Sequence, residues 1–239
     1  MKCIILAAGY ATRLYPLTEN FPKPLLKVGG KPILDWLITD LSGETDEFRV
    51  VTNHKFAPVF REWGKDRVTV IDDGTSTNET RLGAVRDIQL AAEGIEEDVF
   101  VMAGDNVLDF SLIPFIAFAR EKQTSCVMCH EETCLPALQR TAVITVNEEN
   151  RITSYEEKPK EPKGILAVPP FYYYRSGDIK KITEALEDGC GSDAPGSFAA
   201  WLSRRTPMHA WRMTGKRHDI GDRKSYEAVR ESYRGPVQK

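Results

Sequence analysis

Residues 6–32 read LAAGYATRLYPLTENFPKPLLKVGGKP, and their reading decides the fold. Just upstream, Lys2 to Ala7 (KCIILA) is a short apolar run of the kind that forms a buried strand. The run breaks into a long loop opened by Ala7, Ala8 and Gly9, with Ala11 close behind. Small residues let backbone N–H groups come near an anion. Arg13 can fork onto phosphate oxygens, and Lys23 can supply a point charge. In open α/β sheets ligands bind outside the carboxyl ends of the strands, so a loop after the first strand is the expected seat of a nucleotide. The segment contains neither G-x-x-x-x-G-K-[ST] nor a G-x-G-x-x-G that opens a helix at once. Pro16, Pro22 and Pro24 keep it irregular instead, which argues against a dehydrogenase.

Beyond this segment, strand and helix patterns alternate. Lys31 to Leu41 has helical spacing, with Pro32 in its first turn. Glu47 to Thr52, Arg67 to Ile71 and Asp98 to Ala103 read as strands; His54 to Trp63 and Arg81 to Glu93 read as helices. That alternation implies right-handed crossovers and a mostly parallel sheet in an α/β fold. The second half is less regular. Thr124 to His130, Thr141 to Val146, Ile152 to Glu156 and Leu166 to Tyr174 read as strands with some antiparallel pairing. Gly177 to Glu187, Ser197 to Arg204 and Asp222 to Tyr233 read as helices, and the tail Gly235 to Lys239 as frayed. With no linker or repeat, one domain over 1–239 is expected, with a nucleotide-binding half to about 123 and an acceptor-binding half over 124–239.

The opening segment closely resembles the signature of the sugar-phosphate nucleotidylyltransferases (NDP-sugar pyrophosphorylases): L-A-A/G-G-x-G-T-R-L-x-P-L-T, then P-K-P-L-L, then G-K-P. Leu6, Gly9, Thr12, Arg13, Leu14, Pro16, Leu17, Thr18, the run Pro22 to Leu25, and Gly30 to Pro32 all fall in register. Ala11 stands where the family has its second glycine, and its methyl group disfavours positive φ. The resemblance implies a Rossmann-like three-layer α/β/α domain with a mostly parallel mixed sheet and a small β-rich acceptor-binding insertion. It implies transfer of a nucleoside monophosphate from an NTP to a sugar 1-phosphate, with release of pyrophosphate. Arg13 and Lys23 would be catalytic, and both side chains are expected to be exposed in the empty protein. Leu6, Ala8, Gly9, Tyr10, Ala11 and Thr12 would bind the nucleotide. Asn78 to Ala84 (NETRLGA) falls where the family meets the base, so Thr80 and Gly83 join them; the usual Gln-rich pattern is missing there.

The chemistry calls for a cation. Asp105 ends the strand Asp98 to Ala103, where a carboxylate can hold Mg²⁺ against phosphates. Mg²⁺ takes one or two protein carboxylates, so a second is expected. The family's W-x-D-x-G places it at Asp219, within His218-Asp219-Ile220-Gly221-Asp222. Arg217 occupies the tryptophan position and His218 replaces an apolar residue, so this match is looser than the first. Asp222 has a plainer reading as a helix cap. The family's E-K-P falls on Glu157, Lys158 and Pro159, which would put Lys158 on the acceptor's phosphate and Glu157 on sugar hydroxyls. Asn106 and Tyr172 complete the acceptor set implied. Read alone, Glu157 to Glu161 is a solvated charge run, and most of Ala167 to Tyr173 is core.

Composition bounds the alternatives. The net charge of −3 speaks against a general nucleic-acid binder, though not against a local phosphate pocket. No stretch reaches the roughly 18 apolar residues of a membrane span, and Met1 to Ala8 lacks the form of a signal peptide. Five cysteines without a secreted-domain spacing point to free thiols in a reducing cytoplasm. Cys126, Cys129, Cys134 and His130 invite a zinc site, but buried thiols are the better reading. Two rival functions remain. A cytidylyltransferase acting on phosphocholine would want an aromatic cage, for which Phe171 to Tyr174 and Trp201 are available. A non-catalytic nucleotide sensor would tend to lack the Arg, Lys or Asp that this chain retains. The base, the acceptor and any homo-oligomer stay open.

Overall fold

The computed structural model describes residues 1–236, so Val237 to Lys239 of the tail expected to fray lie outside the described residues. Two compact units share the chain. The first comprises Met1–Arg81, Ala103–Pro114 and Thr214 onward; the second comprises Leu82–Met102 and Phe115–Met213. The division does not follow a cut near residue 123, because the chain re-enters the first unit twice.

In the first unit, Lys2–Leu6, Glu47–Thr52 and Thr69–Asp72 pair in parallel in that order. The alternation of apolar runs with helical stretches anticipated this pairing. Helix Ile33–Leu41 buries Ile33, Leu34, Leu37, Ile38 and Leu41, a one-sided stripe that seats it on the core. It starts two residues later than its sequence pattern suggests, because Lys31–Pro32 pairs with Lys27–Val28 as a short ribbon. The final helix, Arg223–Arg230, begins at a capping box: Asp222 accepts from the Ser225 backbone N–H, and the Ser225 hydroxyl returns the bond. Asp222 is therefore the cap expected of it. Tyr226, Val229 and Tyr233 share a buried cluster with Leu14, Leu26, Val28, Ile33, Val107 and Ile220. Tyr233 donates to the Leu108 carbonyl at 2.5 Å and meets Trp36 edge-on at 5.2 Å. Gly29, at φ 60°, is required here: a Cβ would lie 2.4 Å from the Tyr233 carbonyl oxygen.

In the second unit most pairing is antiparallel. Ala142–Val146 pairs with Ile152–Glu157 and with Leu166–Val168, and Phe171–Tyr174 lies between Val99–Ala103 and Ser125–Glu131. Met208–Arg212, a strand the sequence did not announce, runs parallel to Ser125–Glu131. The single strand expected over Leu166 to Tyr174 is two strands, broken at Pro169 and Pro170, which cannot donate to a ladder. The helix expected over Gly177 to Glu187 is likewise two pieces, Ser176–Ile179 and Ile182–Glu187. Cys126 and Cys129 are fully buried and their thiols are pushed up to about 11 by burial, while Cys134 is exposed. Among the described residues no three His, Cys, Asp or Glu side chains converge as a metal cluster. No helix among them is long and apolar enough to cross a membrane.

Candidate active site

The start of the loop after the first strand is braced by neighbouring segments. Buried Asn53, just past the second strand, donates to the Ala8 carbonyl at 2.9 Å and accepts from the Phe56 N–H at 3.1 Å. Tyr10 is pinned by its hydroxyl to the Thr75 carbonyl at 3.2 Å. A Cβ at Gly9 would meet nothing within 4 Å, so this turn faces free space. Ala11 adopts φ 49° and ψ 41°, the left-handed region, despite its methyl group. That conformation costs an alanine about 1–2 kcal/mol. It is retained because the Ala11 carbonyl accepts from the Thr18 hydroxyl at 2.8 Å and from the Leu14 N–H at 2.9 Å. The turn of Thr12–Leu14 that follows leaves Thr12 and Arg13 exposed and buries Leu14.

Lys23 sits differently from expectation. Pro22 and Pro24 fix the backbone on either side of it, and Lys23–Leu25 forms one tight turn with Pro24 and Leu25 buried. Its side chain is only 14% exposed and donates to Asp105 Oδ2 at 2.6 Å and to the Ile220 carbonyl at 2.8 Å. The expectation of an exposed ammonium is corrected: an unsolvated cation needs partners, and a carboxylate and a carbonyl supply them. Gly104 permits this meeting, because a Cβ there would press on Leu34, Ile5 and Pro24 at 3.0–3.3 Å.

Asp219 reaches the same place by strand register. Arg217–Asp219 pairs antiparallel with Asn106–Leu108, which sets Asp219 opposite Asn106. Asn106 is fully buried; its amide donates to Asp105 Oδ1 at 2.7 Å, and its carbonyl oxygen accepts from Arg217 at 2.6 Å. Arg217 also lies 3.7 Å from Asp219. Burial and the neighbouring Asp105 charge raise the pKa of Asp219, opposed by Arg217, Lys23 and Arg13. Arg13, Lys23, Asp105, Asn106 and Asp219 thus belong to one electrostatic cluster. Sequence reasoning noticed Arg217 only as a departure and missed the Ile220 carbonyl. Two carboxylates that repel each other form the hard oxygen donor set suited to Mg²⁺.

Thr80 is an exposed turn residue whose hydroxyl donates to the Thr77 carbonyl at 3.1 Å, so its oxygen is already engaged.

The second unit holds its own group. Glu157 ends the strand Ile152–Glu157, and burial raises its pKa, with Lys158 opposing. Lys158 adopts φ 49° and lies 3.9 Å from Asp193. Gly196, the first residue of helix Gly196–Ser203, lies against Glu157: a Cβ there would sit 2.0 Å from Glu157 Oε2 and 3.0 Å from Tyr155 Oη. Gly83, at φ 91°, packs on backbone, since a Cβ would come 2.6 Å from the Ser192 carbonyl. The Val85 N–H donates to that carbonyl at 2.9 Å. Tyr172 is 2% exposed and stacks on Tyr174 at 5.8 Å, so its ring belongs to the core. The aromatic cage fares poorly. Phe171 to Tyr174 are all buried, and the Trp201 face is taken by Arg205 at 3.8 Å. The Ser192–Gly196 contacts escaped sequence reading; their only signal was Asp193-Ala194-Pro195-Gly196 before a helix.

An open small-residue loop next to a lysine and two carboxylates is an arrangement suited to phosphate groups and a hard cation. Residues 2–234 match the model of the nucleotidyl transferase family, and the chain belongs to that family. Among its relatives, the UTP–glucose-1-phosphate uridylyltransferase AglF of Haloferax volcanii is 31% identical over 178 residues, 73% of this chain and 72% of that one. A glucose-1-phosphate adenylyltransferase of Fervidobacterium nodosum is 25% identical over 243 residues, covering 93% of this chain and 59% of that protein's length. A solved Bacillus anthracis structure, assigned as a glucose-1-phosphate thymidylyltransferase and in complex with a sucrose, superposes with a TM-score of 0.82. It covers 98% of this chain and 96% of that one at 24% identity, a likeness of fold.

Proposed function

We propose that this protein transfers a nucleoside monophosphate from a nucleoside triphosphate to a sugar 1-phosphate and releases pyrophosphate. The observation that carries this reading is the junction of Lys23 with Asp105, Asn106 and Asp219 beside the open Ala8–Arg13 loop. Relatives named for sugar 1-phosphate substrates support the choice of acceptor.

An acceptor phosphate oxygen attacks the α-phosphorus in line. The new P–O bond forms as the bond to the β-phosphate bridging oxygen breaks, and pyrophosphate leaves with the electron pair. The acceptor is already anionic, so no general base is needed. The protein's work is positioning and charge neutralisation. Arg13 holds the departing phosphates, Lys23 turns to the α-phosphate, and the backbone of Leu6 to Thr12 seats the nucleoside. Glu157 accepts from sugar hydroxyls, and Lys158 neutralises the acceptor phosphate. A Mg²⁺ ion held by Asp105 and Asp219 would supply further neutralisation of phosphate charge.

A pyrophosphate-release screen tests the reading, crossing each nucleoside triphosphate with several sugar 1-phosphates and with phosphocholine. The expected result is turnover that needs a triphosphate, a sugar 1-phosphate and a divalent metal together. Turnover with phosphocholine alone among the acceptors would move the protein to the other substrate class. Tight triphosphate binding without turnover on any acceptor would make it a sensor.

A further inference from the structure

Both carboxylates in the cluster already have a resident cation. Lys23 holds Asp105 Oδ2 at 2.6 Å, and Asn106 takes the other oxygen at 2.7 Å, so both oxygens of Asp105 are engaged. The third bond of this arrangement, from Lys23 to the Ile220 carbonyl at 2.8 Å, ties the ammonium to the residue after Asp219. Arg217 stands 3.7 Å from Asp219 and is steadied by its 2.6 Å bond to Asn106. Arg217 thus gives Asp219 a counter-ion of its own.

A divalent cation and the Lys23 ammonium want the same oxygen. The cation therefore has to displace a charge-assisted hydrogen bond in a largely covered setting before it can ligate Asp105. A triphosphate changes that balance, because it offers Lys23 another anion. We propose that Lys23 and Arg217 hold the place of the metal in the empty protein, so that the divalent ion is admitted together with the triphosphate and not ahead of it. This rests on the reading of Asp105 and Asp219 as the metal carboxylates.

The test is Mn²⁺ binding to the full chain without nucleotide, read from the electron paramagnetic resonance signal of free Mn²⁺. Wild type should bind weakly. Lys23→Met, which keeps the stem and drops the charge, should bind about tenfold tighter or more, the size of one charge-assisted hydrogen bond no longer broken. Arg217→Met should gain less, since its guanidinium is farther from its carboxylate. Adding Asp105→Asn to Lys23→Met should erase the gain. In wild type, a non-hydrolysable triphosphate should produce bound Mn²⁺ beyond what the analogue holds by itself. Should Lys23→Met misfold by circular dichroism, Lys23→Gln serves in its place. The inference is overturned if the charge-removed variant binds Mn²⁺ no tighter than wild type, if its gain survives Asp105→Asn, or if wild type binds equally well without nucleotide. Failure of the underlying reading looks different: Asp105→Asn would then keep wild-type, metal-dependent pyrophosphate release.

Discussion

Gly196→Ala should uncouple the acceptor from the rest of the reaction. The added Cβ would lie 2.0 Å from Glu157 Oε2, 3.2 Å from its carboxyl carbon and 3.0 Å from Tyr155 Oη. Ordinary non-bonded contact needs about 3.5 Å, so the carboxylate has to retreat by roughly 1–1.5 Å. It can do so, because the obstruction is the end of a flexible side chain and not backbone. Folding should survive: alanine within a helix is favoured over glycine by about 0.5–1 kcal/mol, which offsets part of the displacement. In the proposed role, a carboxylate moved that far would lose its hydrogen bonds to sugar hydroxyls. One hydrogen bond to a charged group is worth about 1.5–3 kcal/mol, or roughly 10- to 150-fold in acceptor kcat/KM. The assay is pyrophosphate release at saturating triphosphate with the sugar 1-phosphate varied, alongside calorimetry of triphosphate binding. A folded variant with unchanged acceptor kcat/KM would refute the assignment of Glu157 to the acceptor.

Three further outcomes are expected. Arg13→Ala should lower kcat/KM by roughly 10²-fold, the scale for one preorganised electrostatic contact, with an unchanged Tm because the side chain is exposed; a wild-type rate would remove Arg13 from the site. Lys158→Ala should raise the acceptor KM and leave triphosphate affinity nearly intact, while Lys23→Ala should do the reverse; calorimetry with triphosphate alone separates them, and equal losses would dissolve the division of roles. Glu157→Gln should raise Tm at neutral pH. Burial lifts the folded-state pKa of Glu157, so its stabilising contribution is complete below the ordinary carboxylate range and is lost as pH rises through the raised value. The gain from glutamine should therefore vanish in acid, and melting curves across pH showing a gain that grows in acid would reverse the sign.

Much of the fold was legible because local chemistry agreed with it. Glu47–Thr52 forms the strand its apolar pattern suggests, and Asp222 caps the last helix as its position suggests. Pairings that depend on register were not legible. Nothing local in Asn106–Leu108 or Arg217–Asp219 announces a strand, since each is three residues long and gains its geometry from the other. Candidate phosphate residues were readable as residue types in order along a loop. Their partners were not, because the cover on Lys23 comes from Asp105 and Ile220, far away in sequence. Gly83 and Gly196 likewise owe their constraints to neighbours across the second unit. Tyr172 read as an acceptor residue by analogy, whereas its place mid-strand between two partners makes it core.

The first unit is closed by a segment that lies far downstream of its opening strand. Leu14, Leu26, Val28 and Ile33 find their cover in Ile220, Tyr226, Val229 and Tyr233. On a ribosome adding about 5–20 residues per second, the opening strand and the loop after it wait roughly 10–40 seconds for that cover. Asp219 arrives in the same late segment, on the ribbon with Asn106–Leu108. A nascent chain therefore displays the Ala8–Arg13 loop long before it gains Asp219, and the proposed phosphate cluster is assembled only once the segments between them have been made.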